Sequence, residues 1–538
     1  MTRDASSIGA GLARARDARA IIEGTRIHIV GVGGAGASAA AILAHHAGAL
    51  VTGCDPGGPS PYTAALDALG IASTWAHDAA HVTKEPRPDR LAVTKALTAI
   101  DPEHPELVAA RAAGLVPEPW QQVVADAAVG RTLVAVAGTH GKSTTAGWLV
   151  HVLVEAGRDP SAFVGALLPG PVTGGVPATA RQGAGTAFVV EADEYAGNFD
   201  PYRPAVAVLT GAEWDHPDVF ADRRAVEEAF AGWLQRVPDG ASLVINLGDE
   251  GARTVLGDVL ESARDRAVRV IGYALVGPGA ADEGFVVGTA GRSTTSAGPA
   301  TMLLGRIVGA EPDGTTLEID GLDPGSGPVS VRLRTAGRHN AANALAVAGA
   351  ALALGLDANA IAPALAGFEG VGRRLERKGE VGGVVVYDDY GHHPTAIRLT
   401  IDAVRQREPG RSVWAVYEPL TYHRTAALLD EFAAALAAAD AVAIAEIWAG
   451  RDPDTTVASA GALAAAVRRR RPDLVAEAPG SVDATADWLA GRARPGDAVL
   501  VMGGGHSYRI GERLLTLLRA AAESDETGGR KRHTPESG

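Results

Sequence analysis

The chain of 538 residues has 49 basic side chains, yet only five are lysines: Lys84, Lys95, Lys142, Lys378 and Lys531. Lys142 stands in LVAVAGTHGKSTTAGWLV (133–150), where an apolar run passes through two glycines into a helical pattern. A lysine at such a turn, in a chain that otherwise uses arginine, supplies a compact point charge suited to β- and γ-phosphate oxygens. The stretch fits G-x-x-x-x-G-K-[ST] except that Val136 holds the first glycine position. The backbone amides of Gly138, Thr139, His140 and Gly141 and the following Thr144 can wrap a triphosphate. Lys142 can lie on its β/γ oxygens, and the Ser143 hydroxyl can ligate Mg2+.

Mg2+ takes hard oxygen ligands, and Glu191 closes the apolar run TAFVVE (186–191). His216, at the end of AVAVLTGAEWDH (205–216), is a softer ligand that could equally orient a carboxylate. Open parallel sheets bind ligands beyond the C-terminal ends of their strands. The reading therefore brings Glu191, Asp193, Glu213, Asp215 and His216 toward the loop 138–144.

A second anion cradle lies upstream. Gly31-x-Gly33-x-x-Gly36 follows the apolar run IHIVGVG, opens a small-residue helix and precedes Asp55 by about 20 residues. Glycines there let backbone N–H groups approach a diphosphate at a helix N-terminus. NAD, FAD and a UDP-sugar share that feature, and taken alone it points to an oxidoreductase. Two phosphate-binding loops call instead for two phosphorylated participants.

The elements that must carry these loops read as parallel α/β. Strands are expected at 27–33, 49–55, 132–137, 186–193, 205–216 and 242–249, then at 383–389, 412–419, 441–448 and 497–505. Helices follow the two glycine loops, and another covers 338–355. Between 56 and 130 loops alternate with short helices, with Lys84–Asp89 as a surface loop. The Gly/Ser/Thr-rich stretch 272–330 reads as a β insertion or small antiparallel sheet, and 524–538 as a disordered tail. The units are 1–130, 131–369 and 370–523.

A net charge of −14 argues against nucleic acid as a partner. The single cysteine, Cys54, excludes an internal disulfide and suits a reducing compartment. The N-terminus lacks the apolar core of a secretory signal, and alanine-rich stretches such as 431–447 are interrupted by Glu431, Asp440 and Glu446, so no membrane insertion is expected. The expected location is cytoplasmic.

GTHGKST (138–144), EADE (191–194), EWDH (213–216), RHNAANALAVA (338–348), GVGRR (370–374) and YDDYGHHPTAI (387–397) occur in the order seen in Mur ligases, and the chain resembles that family from about 27 to 518. The family's loop resembles GTHGK[ST][ST], which accounts for Val136. The resemblance implies an N-terminal Rossmann-like UDP-substrate domain, a central P-loop ATPase-like domain and a C-terminal Rossmann-like domain. It implies ATP and Mg2+, UDP-N-acetylmuramate, and an amino acid or short peptide acceptor. ATP would phosphorylate the muramoyl carboxylate, and an amino group would displace the phosphate.

By the same resemblance Gly31, Gly33, Gly34, Ala35, Gly36, Ser38 and Asp55 hold the UDP part, while Ser143 and Glu191 hold one Mg2+ and His216 a second metal. Asn340 and Asn343 meet the adenine, though either could merely cap or face solvent. Arg374 and His392 face the reacting phosphate and acceptor. Asp388, Asp389, His392 and His393 could form a metal cluster by composition; the family favours substrate and phosphate contacts. The carboxylated lysine of several relatives is excluded, because no lysine lies between 143 and 377.

Within the family, GVGGAGAS and DDYGHHPT match the branch that adds L-alanine. That branch carries Q-P-H-R-Y-T-R-T, with two arginines for the acceptor carboxylate. This chain has Glu418-Pro419-Leu420-Thr421-Tyr422-His423-Arg424-Thr425, keeping Arg424 alone. EADEY and YEP lean toward the branch that attaches a recycled tripeptide.

Overall fold

The structure, a computed structural model, describes residues 8–277, 301–450, 452 and 454–530. Its two compact units part between Gly372 and Arg373.

The first unit opens with a parallel sheet of β1 (Arg26–Val30), β2 (Leu50–Cys54), β3 (Ala72–Thr74), β4 (Arg90–Val93) and β5 (Glu118–Pro119), in the order β3-β2-β1-β4-β5. Sequence reading found β1 and β2 but passed over the other three, which are too short for a periodicity signal. The order reverses between β1 and β4, so the crevice at their C-terminal ends is the ligand position of such a sheet. The first glycine loop occupies that point. Helix α1 (Ala35–His46) is buried continuously from Ala37 to Ala44. It packs on β1 and β2 and also on strands 161–168 and 178–181 of the next sheet. Its alanines permit close approach on every side, as expected of a helix apolar all round. Helix α2 (Pro105–Ala112) carries Glu106.

The central sheet has ten strands: β6 (Thr132–Ala137), β7 (Ser161–Leu168), β8 (Ala178–Arg181), β9 (Ala187–Glu191), β10 (Val206–Leu209), β11 (Ser242–Asn246), β12 (Arg269–Val276), β13 (Thr301–Glu311), β14 (Gly314–Asp320) and β15 (Val329–Leu333). Their order is β15-β14-β13-β12-β11-β10-β6-β9-β7-β8. Residues expected to form a separate β insertion or small antiparallel sheet instead extend this one. β12 pairs parallel with β11 and β13 with β12, whereas β14 and β15 pair antiparallel. The part of that segment from 278 to 300 lies outside the described residues. Helices α3 (Lys142–Glu155) and α4 (Arg338–Ala353) pack together on one face, where α4 presents alanines with no exposed surface.

The second unit holds β16 (Glu376–Val381), β17 (Val384–Asp389), β18 (Ser412–Glu418), β19 (Ala441–Ala445), β20 (Val475–Gly480) and β21 (Asp497–Gly503), in the order β16-β17-β21-β18-β19-β20. Only β16 runs antiparallel, on β17. Helix α5 (Pro394–Arg407) follows β17, and α6 (Tyr508–Arg530) closes the chain. The helix therefore continues to Arg530, where a disordered tail is expected from 524. Once nucleated, a helix gains one hydrogen bond per added residue without needing an apolar side chain. Residues 531–538 lie outside the described residues. Among those described, no helix is long and apolar enough to cross a membrane.

Candidate active site

The predicted carboxylates and the lysine loop meet because of strand register. Val136 of β6 pairs with Glu191 of β9, and Ala137 pairs with Leu209 of β10, so three C-terminal strand ends align. β10 stops at Leu209, shorter than expected, which leaves 210–216 as a loop over the site.

Gly141 opens α3 with φ 79, a left-handed conformation that suits glycine. A Cβ there would also sit 2.5 Å from Asn343 Oδ1. Lys142 Nζ turns back to donate to Gly138 O at 2.6 Å and to Glu194 Oε2 at 2.9 Å, with Asp193 Oδ1 at 3.9 Å. Ser143 Oγ donates to Glu191 Oε1 at 3.0 Å, and the other carboxylate oxygen accepts from Gly165 N at 2.6 Å. Thr139 clasps the far loop: its Oγ1 accepts from Glu213 N at 2.9 Å and lies 3.0 Å from Glu213 O. His140 Nε2 is 3.3 Å from Glu213 Oε2.

His216 has φ 56, uncommon for a side chain with a Cβ. Its Nε2 lies 4.0 Å from Glu194 Oε1 and 3.8 Å from Asp215 Oδ2, and its ring meets Tyr195 edge to face. Asp193, Glu194 and His216 each offer a ligand atom within 4.8 Å of the others.

Negative charge is in surplus. Burial works against the Lys142 ammonium, yet Glu194 and Asp193 hold it above its ordinary range. Burial pushes Glu194 up to about 7 despite Lys142, with Asp193 adding to the rise. Asp193 falls below its ordinary range, because Lys142, His216 and Asn198 together outweigh burial. Nothing in the sequence sets Glu194 apart from its neighbours in EADE, yet it is 2% exposed and is the closest carboxylate to Lys142.

Asn340 and Asn343 are both buried. Asn340 Nδ2 donates to Ala336 O at 2.8 Å and Asn343 Nδ2 to Asn340 Oδ1 at 3.3 Å, so the pair sits against the loop at Gly141.

At the first cradle, Asp55 turns onto the loop itself: its oxygens accept from Gly33 N at 3.1 Å and Gly57 N at 2.8 Å. A Cβ on Gly36 would run into the Trp120 ring. Ser38 is fully buried, with its hydroxyl 3.0 Å from Ala35 O and 3.1 Å from Thr179 Oγ1. That is a packing position, where the sequence reading has a UDP contact. Another residue missed in the sequence is Lys95, just past β4, whose Nζ donates to Ala196 O and Gly197 O, each at 2.7 Å.

In the second unit, Asp389 pairs with Met502 and Glu418 with Gly503, again aligning C-terminal strand ends. Arg373 Nε donates to Asp388 Oδ2 at 3.2 Å, and its guanidinium lies 5.1 Å from both the Tyr390 and Tyr508 rings. Arg374 lies 4.9 Å from the Tyr390 ring. Asp389 accepts from Leu375 N and Gly391 N, both at 2.7 Å. The two aspartates thus fasten the GVGRR turn and do not gather with the histidines as a metal cluster. His392 Nδ1 is 3.0 Å from Tyr390 O, while His393 caps α5. Arg424 is 2% exposed.

A triphosphate-type loop under a roof of carboxylates, beside a second diphosphate cradle, defines a nucleotide-dependent α/β enzyme. Three family models match in sequence: Mur ligase family, catalytic domain, at 26–132; Mur ligase middle domain at 136–351; and Mur ligase, glutamate ligase domain, at 373–505. The UDP-N-acetylmuramate–L-alanine ligase of Kineococcus radiotolerans is 37% identical over 499 residues, covering 92% of this chain and 96% of that protein. The enzyme of the same name from Acidothermus cellulolyticus is 37% identical over 480 residues, covering 89% and 92%. In fold, the chain is similar to a UDP-N-acetylmuramate–alanine ligase from Thermotoga maritima (TM-score 0.68, 21% identity, 92% of this chain and 99% of that one). It is similar also to a murein peptide ligase from Psychrobacter arcticus (TM-score 0.66, 24% identity, 92% and 99%).

The chain belongs to the Mur ligase family, whose members are ATP-dependent ligases. That membership removes the NAD-dependent oxidoreductase reading of the first loop.

Proposed function

We propose that this protein is an ATP-dependent ligase that joins L-alanine to the lactyl carboxylate of UDP-N-acetylmuramate, in the cytoplasmic stage of peptidoglycan synthesis. The observation that carries the reading is the pairing of Lys142 with Glu194 and of Ser143 with Glu191 at one strand edge, in a chain 37% identical to proteins of that activity over nine-tenths of its length.

A carboxylate oxygen of the sugar acid attacks the γ-phosphorus of ATP, the bond to the β-phosphate oxygen breaks, and ADP leaves. The amine of alanine then attacks the acyl carbon, expels phosphate, and sheds its protons as the amide forms. Little covalent chemistry falls to the protein, so catalysis is positioning and charge stabilisation. Lys142, with the amides of Gly138–Ser143, neutralises the transferring phosphoryl group. Thr139 holds the loop to Glu213, and Asn340 and Asn343 back it on the nucleotide side. Asp55 acts by bracing Gly31–Gly36 as the UDP cradle. Arg374, His392 and Arg424 are assigned to the phosphate and acceptor.

The donor set fits Mg2+: a hydroxyl and a carboxylate at Ser143 and Glu191, and a surplus of carboxylates around one ammonium. Ser143 and Glu191 would hold one ion and His216 a second, and the ion supplies Lewis-acid neutralisation of phosphate charge.

A second reading rests on Glu418 and Thr421, which stand where the alanine-adding branch has Gln and Arg: attachment of a recycled tripeptide. Phosphate release from ATP with UDP-N-acetylmuramate and, in turn, L-alanine, L-serine, glycine or the tripeptide separates the two. Turnover with L-alanine supports the proposal, and turnover with the tripeptide alone overturns it.

A further inference from the structure

Beneath the first cradle the N-terminal domain gathers His28 of β1, Cys54 at the end of β2, His81 and Glu106 of α2. Each offers one ligand atom, and all four atoms lie within 4.8 Å of one another. Cys54 and Glu106 have no exposed surface and His28 is 3% exposed. Glu106 Oε1 lies 2.9 Å from His81 Nδ1 and 3.1 Å from Cys54 Sγ, and Glu106 Oε2 lies 3.4 Å from His28 Nε2. Four ligands about 2.0–2.3 Å from one ion in a tetrahedron stand about 3.3–3.8 Å apart, so these three edges need to open by only a few tenths of an ångström to admit one.

Two further observations point to a ligand. His28 Nε2 is buried and aimed into the cluster, and beyond its 3.4 Å approach to Glu106 Oε2 it has no hydrogen-bond partner among the described residues. In addition, the off-site nitrogen of each histidine is held by a threonine: His28 Nδ1 lies 2.7 Å from Thr52 Oγ1, and His81 Nε2 lies 3.2 Å from Thr74 Oγ1. Metal-binding histidines are oriented in this way, their second nitrogen anchored so that the first presents its lone pair. Among the described residues, no lysine or arginine is paired with Glu106. A thiolate and a carboxylate carry two negative charges, which a divalent ion would balance.

We propose that His28, Cys54, His81 and Glu106 form a binding site for a divalent ion of the zinc class. The mixed nitrogen, sulfur and carboxylate set disfavours Mg2+ and Ca2+, which seek oxygen. His77, with Nδ1 3.3 Å from Cys54 Sγ, stands at the edge as a further donor. The site is structural. Cys54 O accepts from Gly31 N at 2.8 Å and Val32 N at 3.1 Å, so an ion fixing Cys54 also fixes the base of the cradle.

The test uses full-length, tag-free protein stripped by chelator, titrated with Co2+ and Zn2+ while excess Mg2+ occupies the oxygen-ligand sites. The expected result is one tight equivalent, a thiolate-to-Co2+ charge-transfer absorption that Zn2+ displaces, and a raised melting temperature. Cys54→Ser should abolish the charge-transfer band. Thr52→Val, which keeps every ligand, should weaken affinity roughly 10–100-fold while its circular dichroism stays native. The proposal is overturned if the wild type binds no tight equivalent, since the cluster is then only a histidine–glutamate hydrogen-bond network. Binding without the band, or binding indifferent to Cys54→Ser, overturns it as well.

Discussion

Lys95 Nζ and the carbonyl oxygen of Ala196 lie 2.7 Å apart, joining residues 101 positions distant in the chain. Lys95 follows β4 at the switch point of the N-terminal sheet, whereas Ala196 follows Asp193 and Glu194, the carboxylates that hold Lys142. Ala196 has φ 48, a conformation L-residues rarely adopt, so something must stabilise that turn. The ammonium does so by donating to two carbonyl oxygens, those of Ala196 and Gly197. Lys95→Met should lower kcat about 10–100-fold, because a displacement near 1 Å at the carboxylates is costly. It should also lower the melting temperature through loss of charged hydrogen bonds worth about 2 kcal/mol. Steady-state kinetics with ATP varied, beside Ala196→Gly as a mild control, checks this.

Removing the Lys142 ammonium should act on ATP alone. Lys142→Ala leaves the buried Glu194 and its neighbour Asp193 without their cation, yet the first cradle is untouched. We expect kcat to fall on the order of 10²–10³-fold or more and UDP-N-acetylmuramate affinity by isothermal titration to change little. Unaltered turnover would remove the loop from the mechanism.

Metal dependence should report on Glu191. Glu191→Gln keeps a partner for Ser143 and Gly165 N but removes the charge. The Mg2+ concentration giving half-maximal rate should rise about 10–100-fold, with saturating Mg2+ restoring much of the activity. Ser143→Ala should shift the same parameter in the same direction.

How much of this was legible beforehand depends on whether the signal is local. The run 132–155 reads correctly because an apolar strand, a glycine turn and a lone lysine are adjacent in the chain. Glu191, Glu213, Asp215 and His216 could be gathered by one rule, that ligands lie beyond C-terminal strand ends. Glu194 escaped because its significance is a distance to Lys142, and Lys95 because its partners lie far along the chain. Asp55 and Ser38 have contacts that motif position does not reveal: Asp55 accepts from Gly33 N and Gly57 N within the loop, and the Ser38 hydroxyl is buried against Ala35 O and Thr179 Oγ1. The stretch 272–330 reads as β, but its continuity with the central sheet does not, because composition changes there while the hydrogen-bonded sheet continues. β20, VAEAPG, was passed over because its polar alternation belongs to a sheet edge.

Glu418 offers a pH test. The residue is 2% exposed and Oε2 has no hydrogen-bond partner among the described residues. Burial pushes its carboxyl from 4.5 up to about 7, against backbone N–H groups of Ser507 and His506. A folded pKa above the unfolded one gives stability that is complete below about 4.5 and lost as pH rises through about 7. Glu418→Gln should therefore melt close to wild type at pH 5 but higher at pH 8.5, by on the order of 2 kcal/mol or about 5 °C. Equal melting temperatures at pH 8.5 would contradict the assignment.

The central claim is that ATP activates the sugar acid by forming a bond to its own carboxylate oxygen. The most direct measurement supplies UDP-N-acetylmuramate labelled with ¹⁸O in the lactyl carboxylate, together with ATP and L-alanine, and weighs the released phosphate by mass spectrometry. The account predicts one carboxylate oxygen transferred to each phosphate, in step with ADP and the alanyl product. Phosphate free of label, or amide formed without ATP cleavage, would contradict it.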